Sequence, residues 1–133
     1  MNYRHSYHAG NFADVVKHLA QVAILTHLAK KETPFAVIDS HAGRGSYDLG
    51  SQEALKTGEA ASGIQTLDGL SGLPLLDRYL SLVGEGGRTY PGSPLIAAKM
   101  LRPQDRLVAV EKHPEEAEAL KEILSPWRKA RVD

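Results

Sequence analysis

The 133-residue sequence has no cysteine. Neither a disulfide framework nor a cysteine-held zinc site can be built from it. It also lacks an excess of charge of either sign, with 16 Lys and Arg against 16 Asp and Glu. That balance argues against a generally basic nucleic-acid binder, while leaving room for a local patch. No apolar run approaches the ~20 residues of a membrane span. The opening "MNYRHSYHAG" is polar and aromatic and has no signal-peptide h-region. A soluble cytoplasmic protein is the expectation, with room for one domain and a modest core.

What is present reads as alternating helix and strand. Val15, Val16, Leu19, Val22, Ala23 and Leu28 recur at helical spacing and predict a helix from about Phe12 to Lys31. Asn11 is its expected N-cap, Asp14 suits its positive end, and Lys30 and Lys31 suit its negative end. "FAVID", Phe35 to Asp39, fits a strand buried on both faces, as in parallel sheets. "RLVAVE", within Asp105 to Glu111, is the second convincing strand, and the terminal "ARVD" hints at a third. "PLLDRYLSLV" and "HPEEAEALKEIL" read as helices, each with a proline near its start. In "RTYPGSPLIAAKML" a loop precedes a helix, with Ser93 as expected N-cap and Pro94 as first helical residue. This is α/β text with too few strands for a stable doubly wound sheet. It fits a fragment, or a domain completed by another chain.

Charge is unevenly distributed. From Asp48 to Gly87, six acids (Asp48, Glu53, Glu59, Asp68, Asp77, Glu85) face only Lys56 and Arg78, while both ends are more basic. Ordinary solvated surface accounts for this pattern by itself.

The stretch with most chemical content is "DSHAGRGS". A strand that ends in a glycine turn lets backbone approach a ligand closely. Gly43 and Gly45 give G-x-G, but Asp48 stands where G-x-G-x-x-G needs its third glycine. That weakens a nicotinamide or flavin reading, and no Gly-Lys-Ser/Thr follows to make a phosphate loop. In dinucleotide folds an acid ends the next strand about 20 residues on. Glu111 ends its strand in that way, yet it lies 66 residues beyond Gly45. If residues 51–88 are an inserted helical subdomain, the remainder closes up to normal spacing. The N-terminal "YRHSYHAGNFADVVKHL" offers His5, His8, His18 and Asp14, without strong metal spacing. N-terminal polar surface with a helix cap accounts for it as well; a third reading is a substrate-facing segment, with Tyr3 stacking on a base and Arg4 meeting phosphate.

"YRHSYHAGNFADVVKHL", "DSHAGRGSYDLGS", "TGEAASGI", "YPGSPLIA" and "EKHP" occur in the order found in one bacterial family. The chain resembles the N-terminal half of the ribosomal RNA large subunit methyltransferase J family, adenine-N6 methyltransferases of 23S rRNA. The resemblance spans nearly the whole sequence. It implies a Rossmann-like class I methyltransferase fold, α/β with a partial parallel sheet and an inserted helical subdomain. Residues 1–50 and 89–133 would form the methyltransferase domain and 51–88 the insertion. It also implies S-adenosyl-L-methionine as methyl donor and 23S rRNA as partner. His18, His41, Ser93 and Glu111 match cofactor-contacting positions, beside Asp39, Gly43 and Gly45 of the glycine-loop motif. Tyr3 matches a tyrosine placed near the substrate adenine, with Arg4 beside it. The same family is also associated with the use of external DNA as a nutrient.

One departure limits the expectation. These enzymes use an Asp/Asn-Pro-Pro-aromatic tetrapeptide to hold a flipped adenine and its weakly nucleophilic amino group. None of the seven prolines here is adjacent to another. The expected chain therefore holds most of a cofactor half-site, contains no catalytic residue and no metal site, and is inactive alone. The alternatives are a non-catalytic nucleotide-binding module, a half-domain that pairs through exposed sheet edges, and a nicotinamide-binding fragment.

Overall fold

The computed structural model describes residues 4–84 and 87–133. After a short 3-10 turn at His5–Tyr7, helix α1 spans Phe12–Leu28. Asn11 caps it as expected, its side chain accepting the Asp14 N–H. The helix stops three residues short of the expected end. Ala29 to Lys31 continue in tighter turns, and the Arg102 guanidinium donates to the carbonyls of Ala29, Lys31 and Thr33. Buried Asp105 holds that guanidinium in place. A side chain from seventy residues away thus satisfies carbonyls that the helix itself would otherwise have carried.

Strand β1 is Ala36–Asp39, β4 is Arg106–Ala109 and β5 is Ala130–Val132. They form a parallel sheet in the order β1-β4-β5, with Ile38 opposite Val108 and Val108 opposite Arg131. The hint of a strand in "ARVD" is thus realised. Two further strands lie where a loop was expected. β2 (Ser46–Asp48) and β3 (Thr89–Pro91) pair antiparallel, Tyr47 opposite Tyr90. Between them run the short helices α2 (Gln52–Thr57) and α3 (Glu59–Ser62), then α4 (Pro74–Val83).

Helix α5, Ser93–Met100, packs against β1, β4, α1 and α6, the last spanning Pro114–Leu124. Ile96, Ala97 and Ala98 are all fully buried. Apart from exposed Lys99, α5 is buried from Pro94 to Met100; a helix so largely apolar belongs at the centre of a fold, and α5 occupies it. Gly92, not Ser93, holds the N-cap position of α5; Ser93 is the first helical residue and its hydroxyl is used elsewhere.

The β1 strand is not buried on both faces. Leu107 and Ala109 of β4 are buried beneath the helices, while Ile38 on the opposite face is 73% exposed and Val110 is also exposed. Successive side chains of a strand point to opposite faces. On the Ile38 face Val108 is half-buried and Arg131 exposed, so the sheet has a well-covered side and a more open one.

Candidate cofactor-binding site

The parallel strands β1 and β4 end side by side, and each ends beside an acid that the site uses. Asp39 closes β1, and Glu111 lies two residues past β4. In open α/β sheets the crevice beyond the carboxyl ends of the strands is where ligands bind. A cavity of about 770 Å³ lies there, within the usual size range for small-molecule sites.

The glycine loop is tied to the second acid. The Gly43 N–H donates to Glu111 Oε2 at 2.7 Å, across 68 residues of sequence. The other oxygen of Glu111 accepts the His113 N–H at 2.9 Å. Each carboxylate oxygen has a second lone pair, so Glu111 can still accept from hydroxyls of a ligand. Gly43 is required twice over. Its φ of +71° favours glycine, and an added Cβ would fall 2.1 Å from the Tyr47 hydroxyl oxygen.

Asp39 accepts from the Ser93 hydroxyl through Oδ2 and from the His41 N–H through Oδ1, the latter at 3.3 Å. That hydrogen bond is where the Ser93 side chain goes instead of capping α5. His41 is exposed at the rim, its Nδ1 2.9 Å from the Ser40 hydroxyl. Arg44 clamps Glu116 with two hydrogen bonds, at 2.8 and 2.9 Å, holding the start of α6 against the loop.

The other wall comes from α1 and the segment before it. Asp14 is almost wholly buried, accepts the Gly10 N–H and lies 2.7 Å from His5 Nε2. Burial by itself would raise its carboxyl, but the hydrogen bond and charge of His5, with the Gly10 N–H, hold it below the ordinary value. Lys17, exposed, reaches to 3.5 Å from Asp14. His18 is buried, and burial drives its imidazole down to about 4, so at neutral pH the ring is uncharged.

Of the sequence candidates, Arg4, His18, His41, Gly43, Ser93 and Glu111 all line the cavity. Asp39 touches it through Ser93 and His41. Gly45 sits elsewhere: a Cβ there would meet Leu120 and Ile123 of α6, so this glycine allows α6 to approach the loop. Tyr3 lies outside the described residues. The histidines do not gather. His8 pairs with Glu59 and His18 with Tyr90, and among the described residues no group of three metal-ligating side chains forms. Sequence reading missed Asp14 as a wall residue, because the same acid near a helix start is commonplace. It also missed Tyr47 and Tyr90, whose strands it took for loop. Asp48, which spoils the third glycine position, lies in β2, exposed, and pairs with Arg88. The glycine loop therefore leads into a strand and not straight into a helix.

A parallel sheet with helices on one face, an acid at the end of each of two neighbouring strands, and a glycine loop bonded to one of them define half of a Rossmann-like α/β domain. The particular family follows from comparison. The family described as ribosomal RNA large subunit methyltransferase D, RlmJ, matches residues 32–133, and the chain belongs to it. The chain is 43% identical to ribosomal RNA large subunit methyltransferase J of Escherichia coli, over all of this chain and 50% of that protein. The protein of the same description from Haemophilus influenzae is also 43% identical, over 94% of this chain and 47% of its own. The crystal structure of protein LPL1258 from Legionella pneumophila superposes with a TM-score of 0.82 at 34% identity, covering 93% of this chain and 48% of that one. The chain spans about half the length of the curated relatives it matches.

Proposed function

We propose that this chain supplies the S-adenosyl-L-methionine-binding part of an enzyme that methylates the N6 amino group of an adenine in 23S rRNA. The observation that carries this reading is the Gly43–Glu111 hydrogen bond beside the Asp39–Ser93 pair, all at one cavity. Glu111 fits the ribose hydroxyls, which need an acceptor fixed at the end of a strand. Gly43 keeps the loop backbone close to the ligand, and Ser93 and His41 border the same space. Once bound, the cofactor supplies an electrophilic methyl group. The residues of this chain bind and orient it; holding the acceptor adenine is the part of the tetrapeptide missing from this sequence.

Arg4 and Lys17 form the cationic rim, suited to RNA phosphate, and Tyr3 is assigned to stacking on the target base. Residues 51–88, carried between β2 and β3, are assigned as an insertion within the methyltransferase domain. A cytoplasmic location follows from the proposed substrate, and no described helix is long and apolar enough to cross a membrane.

Calorimetry with S-adenosylhomocysteine and with NAD tests the binding half. Binding of the adenosyl ligand is expected, and binding of NAD alone would remove the reading. Incubation of the 133-residue protein with unmodified rRNA and labelled donor is expected to give no transfer; clear turnover would overturn the claim that the acceptor site lies elsewhere. A second reading, a half-domain completed by another polypeptide, is favoured by the exposed Ile38 face and by β1 standing at the sheet edge. A solution mass showing a stable, folded monomer at all concentrations argues against obligatory pairing.

A further inference from the structure

Behind the cavity wall runs a buried line of three polar side chains that cofactor contact by itself does not explain. His18 Nδ1 lies 2.8 Å from the Tyr90 hydroxyl, and that hydroxyl lies 2.6 Å from the hydroxyl of Tyr79. Tyr79 and Tyr90 are fully buried, His18 nearly so. The His18 ring also stacks on Tyr90, centroids 5.5 Å apart. The three come from α1, β3 and α4, so the line joins the helical segment between β2 and β3 to the cavity.

The proton positions in this line follow from counting donors. Tyr79 has one hydrogen-bond partner among the described residues, the Tyr90 oxygen. If Tyr90 donated to Tyr79, the Tyr79 O–H would be left buried with no acceptor, a cost of about 1–3 kcal/mol. If both His18 and Tyr79 donated to Tyr90, the Tyr90 O–H would be the orphan. Only one order leaves no tyrosine hydrogen unmatched: Tyr79 donates to Tyr90, and Tyr90 donates to His18 Nδ1. A neutral imidazole that accepts at Nδ1 carries its hydrogen on Nε2.

We propose that Tyr90 and Tyr79 are positioning residues that fix His18 as the Nε2–H tautomer, so that the cavity presents a neutral N–H donor to the amino-acid carboxylate of the adenosyl ligand. This rests on the reading of the cavity as an adenosyl-cofactor site. The carboxylate is the matching group for three reasons. Nε2–H can only donate. His18 lies on the wall shared with Arg4 and Lys17, whose two positive charges outnumber the single carboxylate of Asp14. Glu111, acidic and on the opposite wall, suits hydroxyl donors and repels a carboxylate. A neutral donor also meets the carboxylate without adding a buried charge beside Asp14. Tyr79 makes the segment between β2 and β3 part of this arrangement, since without its hydrogen bond the Tyr90 oxygen loses its donor.

The test begins with the unmodified protein and no ligand. Nitrogen-15 NMR of the His18 ring at neutral pH should show a protonated Nε2 and an unprotonated Nδ1. A protonated Nδ1 would overturn the proposal whatever the protein binds. Calorimetry then compares S-adenosylhomocysteine with 5′-methylthioadenosine, which lacks the amino-acid carboxylate. Tyr90→Phe is expected to spread His18 over both tautomers, read by the same NMR, and to weaken S-adenosylhomocysteine about two- to fivefold, the inverse of the remaining Nε2–H fraction. Its affinity for 5′-methylthioadenosine should be unchanged. Tyr79→Phe should keep the tautomer and weaken S-adenosylhomocysteine less. Equal loss for the two ligands would make Tyr90 structural and sink the proposal. Failure of both ligands to bind the unmodified protein, with the tautomer as expected, would instead count against the cofactor reading of the cavity.

Discussion

Single residues set the cavity, and their costs can be read separately. Gly43→Ala would force a side chain into a left-handed conformation and onto the Tyr47 hydroxyl, 2.1 Å away. About 3 kcal/mol of lost stability is expected, with roughly 1–2 of it from the backbone. Tyr47→Phe removes that oxygen and leaves the next atom 3.5 Å away, so the double variant should lose less than the sum. Urea denaturation of the four proteins gives the coupling; strict additivity would contradict the contact. Glu111→Gln should weaken S-adenosylhomocysteine about tenfold by calorimetry, since an uncharged amide is a poorer partner for ribose hydroxyls. His18 gives stability a pH slope. Its folded value is about 4 against 6.5 for a free imidazole, so the unfolded chain takes up a proton that the native one refuses. The contribution is complete above pH 7 and declines as pH falls toward 4, by at most about 3 kcal/mol. Asp14, held below its ordinary value, adds a loss of the same sign at still lower pH. Thermal unfolding followed from pH 7 to 4.5 should show the decline, and His18→Gln should flatten it.

At the scale of elements, local signals placed the helices well and the short strands badly. Asn11, Pro74 and Pro114 mark helix starts by local chemistry, and the structure begins helices beside each of them. The end of α1 is different, because Arg102 and Asp105 decide it from afar. Arg102→Ala should cost about 2–3 kcal/mol, for it leaves the carboxylate of Asp105 buried and short of its cation. A chemical-denaturation midpoint unchanged by this variant would show that the clamp adds nothing. β2 and β3 are three residues each, too short for alternation to be seen, and one contains a proline. They become strands because each finds the other. Ser93 illustrates the same lesson in reverse: serine before proline is a good cap by local chemistry, yet Asp39 takes its hydroxyl.

The whole molecule is one-sided. α5 and α6 cover one face of the sheet, and Ile38 is exposed on the other. Helix α1 also shows Phe12, Val16, Ile24 and Leu28 to solvent, spaced four or eight residues apart. Contiguous exposed apolar surface of this kind marks an interaction site or an aggregation hazard. Ile38→Lys should therefore leave stability within about 0.5 kcal/mol, as expected for an exposed position, while reducing any self-association seen by sedimentation. A large loss of stability would mean that the Ile38 face is covered in solution. The chain matches half the length of its relatives, in keeping with a three-stranded sheet whose outer strands β1 and β5 each have one partner among the described residues.

The amino-acid sequence by itself determined where the main helices start, the two acids at strand ends, the glycine loop and the family, because these depend on residue type and short spacing. It did not determine the buried face of α1, where Val16, Ala23 and Leu28 of the expected face are exposed and Leu25 is buried instead. Tertiary structure decided the rest. It paired β2 with β3, separated Gly45 from the cavity, turned Ser93 to Asp39 and buried Asp14 beside His18. Each of these is a contact between residues far apart in sequence, except the Asp14–His18 proximity along one helix, and its energy depends on burial that no local pattern encodes. The Tyr79–Tyr90–His18 line is the clearest case: three separate elements must meet before any proton has a preferred place.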